Sequence, residues 1–155
     1  MTTEFELKIS DIVASMNQTT DASGNPVTFS YVFASKNEAN YLLEKTTMPC
    51  VVNILPVSGK LEVKATSIND SPNCLLGFFD KLPEVNAVID DIKNINSRMM
   101  LAAQEFIAKV NSSGKFKTVE NVSYQNIEEY DIACFGYVLQ LQLTEMSGTS
   151  ICNLR

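Results

Sequence analysis

Residues 85–114, VNAVIDDIKNINSRMMLAAQEFIAKVNSSG, decide the fold. Val85, Val88, Ile89, Ile92, Ile95, Met99, Ala103, Phe106, Ile107 and Val110 recur largely at steps of three or four, so they form one apolar stripe along an amphipathic helix. The stripe stops at Ser112-Ser113-Gly114, where glycine can take the left-handed conformation that closes helices. At 1.5 Å per residue, a helix over about 85–113 is about 43 Å long, against a diameter of about 40 Å for a globule of this size. Such a helix spans its domain. Its stripe reads either as a core helix laid on a sheet or, in part, as a surface against a neighbouring subunit.

Working outward, Ile9, Ile12, Val13 and Met16 share a helical face and predict a short helix over 8–17. Thr19 to Pro26 is rich in turn formers and reads as an exposed loop. Val27 to Phe33 alternates as a half-buried strand does, with Val27, Phe29, Tyr31 and Phe33 inward. Ser35 and Glu38 fit a capping box opening a helix over 36–45. The β-branched run from Pro49 to Leu55 suits a buried strand, and alternation of Leu61, Val63 and Ala65 with Lys60, Glu62 and Lys64 predicts a second strand paired with it, with one wet face. The segment 66–84 combines a turn-rich Asn69-Asp70-Ser71-Pro72-Asn73 with the apolar Leu75, Leu76, Phe78 and Phe79, and reads as a connecting segment that is either a core plug or a contact surface. Beyond the long helix, Phe116 to Ser123 alternates as an exposed strand. Tyr137 to Leu143 is the clearest strand in the chain, and Gly136 marks a bulge or close backbone approach at its start. These elements predict one α+β domain over 1–155, a mostly antiparallel sheet packed against the long helix with one or two short helices.

The chain has 155 residues and a net charge of −6, from 18 acidic and 12 basic side chains. That balance argues against neutralising a phosphate backbone, although an acidic surface suits a passage through which DNA slides without adhering. No apolar run reaches membrane-spanning length, and the acidic N-terminus lacks the pattern of a secretory signal, so the expected setting is the cytoplasm.

The chain contains no histidine, which removes Ser-His-Asp and Cys-His arrangements and the commonest metal ligand. Cys50, Cys74, Cys134 and Cys152 are widely separated; a site built from all four thiolates stays open, but buried reduced thiols are the better reading, with Cys152 the accessible one. Asp90-Asp91 and Glu128-Glu129, with Asp131, read as solvated charges, because adjacent side chains on a helix do not face each other. No glycine pattern cradles phosphate. The residues thus point to no catalytic group, cofactor or metal.

The helix junction Phe106-Ile107-Ala108-Lys109-Val110-Asn111-Ser112-Ser113-Gly114-Lys115-Phe116, the strand from Val119 to Tyr124, and the run from Tyr130 through Asp131 and Gly136 to Leu143, closing in Ser150-Ile151-Cys152, resemble small tail terminator and tail completion proteins of tailed bacteriophages, especially those infecting Bacteroidetes. The resemblance covers roughly residues 48–155; the Leu75–Phe79 segment and the Thr19–Pro26 loop depart from it. It implies a sheet flanked by helices and a non-enzymatic virion protein, made in the host cytoplasm. Copies would form a ring, hexamer or dodecamer, at the neck or the head-proximal end of the tail. Such a ring caps or joins tail and head, contacts other tail or neck proteins, and leaves a channel for DNA without specific binding and without a membrane. Expected subunit contacts are Leu75, Leu76, Phe78, Phe79, Met146 and Ile151. A small cytoplasmic α+β enzyme, a ligand-binding domain, or a transient assembly chaperone are the other readings.

Overall fold

The computed structural model describes residues 3–21, 23–82, 89–146 and 149–150. In chain order the elements are α1 (Thr3–Ala14), β1 (Ser30–Ala34), α2 (Lys36–Lys45), β2 (Cys50–Ile54), β3 (Gly59–Val63), β4 (Ser67–Lys81), α3 (Ile89–Ser112), β5 (Ser123–Glu129), β6 (Cys134–Gln142) and β7 (Thr149–Ser150). The fold is α+β. Five strands lie in the order β1-β2-β4-β6-β5, and every pairing is antiparallel except β1 with β2, which α2 connects in parallel.

α3 forms because its stripe has a sheet to cover: Ile92, Ile95, Met99, Ala103, Phe106 and Val110 are all buried, and Gly114 follows with φ +72°. Its described length of 24 residues corresponds to about 36 Å. Val85 and Val88 lie outside the described residues, and Ile89, at the start of the helix, is exposed. α1 begins earlier than its apolar spacing suggests, because Phe5 joins Ile9, Ile12 and Val13 on the buried face and packs edge-on against Phe116 at 5.8 Å.

The segment 66–84 is not a connection. Most of it is β4, a strand of 15 residues at the centre of the sheet. Cys74, Leu76 and Phe78 face α1 and α3, while Phe79 lies on the other face with Cys50, Val52, Cys134 and the α2 residues Ala39 and Leu43. A strand buried on both faces reads as an unbroken apolar run rather than an alternation, which is why Leu75 to Phe79 looked like a plug. Pro72 lies just beyond the last rung shared with β6, where its missing N–H ends a ladder instead of interrupting one.

Other expectations are corrected as well. β3 pairs with the first part of β4, not with β2, and is exposed along its whole length rather than on one face. The strand after α3 lies at 123–129; Phe116 makes only an isolated bridge to Glu145, and 117–122 is irregular. Ser35 is the N-cap of α2, but its hydroxyl caps nothing, and its carbonyl accepts the N–H groups of Glu38 and Ala39. Phe33 is exposed although Phe29 and Tyr31 pack on the core.

Two constraints fix the layers. Gly136 lies so close to β4 that a Cβ there would sit 1.8 Å from the Phe78 carbonyl oxygen, the close approach that its position suggested. Glu105, buried in the middle of α3, accepts the backbone N–H groups of Asn17 (3.1 Å) and Gln18 (3.2 Å), tying the chain leaving α1 to α3.

Glu105→Ala should cost about 1–3 kcal/mol, since two backbone N–H groups lose a charged, buried acceptor; the denaturant midpoint measures it. Ile92→Asp places a charge in the core and should leave no folded protein, seen as loss of cooperative unfolding.

Candidate subunit-contact surfaces

Three of the six expected contact residues belong to the interior. Leu76 and Phe78 are fully buried and Phe79 nearly so, which makes them core and removes them as contacts of the folded chain. Leu75 is half-buried beside Ile54, Met146 is exposed, and Ile151 lies outside the described residues. The described residues of the loop 19–26 are pinned. The Asp21 carboxylate accepts the N–H groups of Ser23 (2.8 Å) and Asn25 (3.0 Å), and hydrogen bonding from the Asn25 backbone, foremost, holds its carboxyl below the usual range. Arg98 on α3 donates to the Thr20 carbonyl oxygen at 3.4 Å and to Asp80 at the end of β4 at 3.0 Å.

Two surfaces that the sequence did not single out carry exposed apolar side chains. The first is the hairpin of β3 with the start of β4. Leu61 stands opposite Asp70 and Val63 opposite Ile68, so Leu61, Val63, Ile68 and the charged Asp70 share one face, while Lys60 and Glu62 share the other with Ser71 and Asn69. Leu61 and Val63 are each 66% exposed, and Val57, leading in, is 90% exposed. The alternation was visible in the sequence; that no element of the described chain covers its apolar side was not.

The second is a groove of about 410 Å³ between α3 and the chain from Val119 to Tyr124, lined by Met100, Ala103, Ile107, Val122, Tyr124 and Leu139, with Gln104 and Glu120 as its polar members. It continues along α3 into a second hollow of about 650 Å³ that shares Met100 and Gln104 and reaches Tyr137. β5 forms the outer wall. Tyr124 packs edge-on against Tyr137 at 5.7 Å, and the Asn126 amide donates to Asn96 of α3 (3.2 Å) and to the Gly136 carbonyl (2.9 Å). These contacts hold the strand beneath the helix but leave its outer edge open among the described residues.

The thiols do not converge. Cys50 and Cys134 lie in the core under α2, and Cys74 lies in the larger core on the opposite face of the sheet, so a site of all four thiolates is ruled out; Cys152 lies outside the described residues. All three described thiols are free. Burial pushes each up to about 12, so none supplies a thiolate near neutral pH. Asp90, Asp91, Glu128, Glu129 and Asp131 are exposed, as expected of solvated charges. Among the described residues no group of three or more acidic or cysteine side chains is placed to hold a metal ion. No helix there is long and apolar enough to cross a membrane.

Unfolded cysteine loses its proton near pH 8.5, about where the folded thiols still hold theirs, so the stabilising difference is intact below that pH and is lost as pH rises toward about 12. In a Cys152→Ser variant, Cys50, Cys74 and Cys134 should resist an aromatic disulfide reagent at pH 8 and react fully in guanidinium, and the unfolding midpoint should fall between pH 9 and 12. Compared with known proteins, the chain matches no family model and no curated protein sequence.

Proposed function

We propose that this chain is a non-enzymatic virion structural protein that assembles through contacts between unlike surfaces, forming a ring at the neck or the head-proximal end of a phage tail. The observation that carries the reading is the β3–β4 hairpin. A two-stranded hairpin is marginal in water unless its apolar face is covered, and here Leu61 and Val63 stay mostly exposed. Their cover is therefore sought on another chain. The likeness of the segments around Phe106–Phe116 and Tyr130–Leu143 to tail terminator and completion proteins supplies the virion setting. The net charge of −6 suits a channel wall that does not hold DNA.

An enzyme or small-molecule receptor is less well supported. The groove along α3 is of ligand-pocket size, but it is lined mostly by apolar side chains, with Gln104, Glu120 and the Tyr124 hydroxyl as its polar groups. A transient chaperone would share the exposed surfaces and differ in its fate.

Quantitative mass spectrometry of purified phage particles tests the reading. The chain should be present at a fixed multiple per particle and decorate one end of the tail in labelled micrographs. Its absence from particles would overturn the virion assignment.

A further inference from the structure

We propose that residues 151–155 fold back over the β3–β4 hairpin of their own chain and cover Leu61 and Val63 until a partner takes that face; this rests on the reading of the chain as a self-assembling protein. The segment, Ile151-Cys152-Asn153-Leu154-Arg155, lies outside the described residues, and its direction, its length and its chemistry each point to the hairpin.

Direction comes from β7. Ser150 stands opposite Ser67 and Thr149 opposite Ile68, antiparallel, while Ile68 also pairs with Val63 of β3. β7 therefore runs along the edge of β4 that β3 leaves free, and it heads for the turn of the hairpin. Opposed residues share a face and strands alternate with a period of two, so position 151 returns to the face of Ile68, Val63 and Leu61.

Length permits the return. Asp70 lies about 10 Å along β4 from Ser67, whereas five residues reach about 17 Å when extended. The excess allows the tail to reverse at the turn and bring Arg155 back to Asp70.

Chemistry selects the seat. On the hairpin, Leu61, Val63 and Ile68 share a face with one charge, the exposed Asp70. The tail has the complementary content: apolar Ile151 and Leu154, with Arg155 as its one charged side chain. A guanidinium meeting a carboxylate among apolar side chains fixes a register that apolar contact alone leaves loose. Glu62, the other acid of β3, lies on the opposite face and pairs with Lys64 at 3.3 Å. The tail of the same chain wins over that of another copy because β7 tethers it beside the hairpin, at an effective concentration of about millimolar order.

The test measures the reactivity of a thiol placed under the tail. In the full chain carrying Cys152→Ser and Leu61→Cys, the introduced thiol is the accessible one, since Cys50, Cys74 and Cys134 are buried. A tail seated about nine-tenths of the time slows a neutral aromatic disulfide about tenfold. Leu154→Ser with Arg155→Glu should remove that protection, Asp70→Arg should remove it too, and Asp70→Arg with Arg155→Asp should restore it. The protected rate should not change on dilution, and cooperative unfolding checks each variant's folding. Should Asp70→Arg not fold, Asp70→Asn replaces it and should free the thiol alike. A rate that the tail variant leaves unchanged, a reversed pair that does not restore protection, or protection lost on dilution, which would give the cover to a second copy, each overturns the proposal.

Masses from sedimentation separate this proposal from the reading beneath it. The Leu154→Ser, Arg155→Glu chain should associate at lower concentration than the wild type, and association no stronger than that of an associating wild type overturns the cover. If both stay monomeric while the thiol behaves as expected, the cover stands and self-assembly fails. If the wild type associates and the tail variant leaves the thiol rate unchanged, self-assembly stands and the cover fails.

Discussion

The structure depends on the burial of β4 on both faces. Phe78 packs on Phe106 of α3 with ring centroids 5.7 Å apart, and Phe79, one residue on, enters the other core with Cys50 and Cys134. Two consecutive aromatics thus anchor opposite layers from one strand. That arrangement requires neighbouring strands to come close without side chains in the way, and Gly136 of β6 and Gly77 of β4 itself provide the room: a Cβ at either would meet Phe78 or Phe79 at under 3 Å. Hydrophobic packing selects the arrangement, and the glycines permit it.

Polar groups then fasten the periphery to this centre. Arg98 joins α3, the end of β4 and the loop after α1 through one guanidinium, with both it and Asp80 largely shielded. Glu105 does similar work one face away, giving a buried carboxylate to two backbone donors. Beneath α1, the Asn53 side chain donates to the Tyr31 hydroxyl at 3.0 Å, and burial pushes the Tyr31 hydroxyl's pKa upward. The Asn53 Oδ1 and Thr19 Oγ1 have no partner among the described groups, a cost that the surrounding packing offsets.

What the sequence disclosed follows from which signals are local. α3 was legible because amphipathic spacing over many turns has one physical explanation, and β6 because strict alternation has one too. β4 was illegible because being buried on both faces erases the alternation that marks a strand, and because Asp70, Ser71 and Pro72 mimic a turn. β5 hid for the opposite reason: exposed on nearly every residue, it carries Glu128 and Glu129 where a buried strand would carry valine, and only its pairing with β6 makes it a strand. The contact residues went astray with β4. Leu76, Phe78 and Phe79 were singled out for hydrophobicity alone, which measures a demand for cover and says nothing about whether the chain itself meets it.

The hairpin is the geometric remainder of that same strand. Of the 15 residues of β4, the nine from Asn73 to Lys81 pair with β6. At about 3.4 Å per residue those nine span about 30 Å, comparable to the described length of α3 at about 36 Å, so helix and paired sheet are matched. The residues from Ser67 to Pro72 then run about 20 Å past that pairing, with β3 folded along them. If the overhang served only to connect β2 to β4, a tight turn would suffice and Leu61 and Val63 would be polar. Instead the chain extends β4 beyond its own core and places Leu61, Val63 and Ile68 around Asp70 on one face of the extension. Beside α3, at the opposite margin of the sheet from β1, a largely apolar hollow lies open among the described residues.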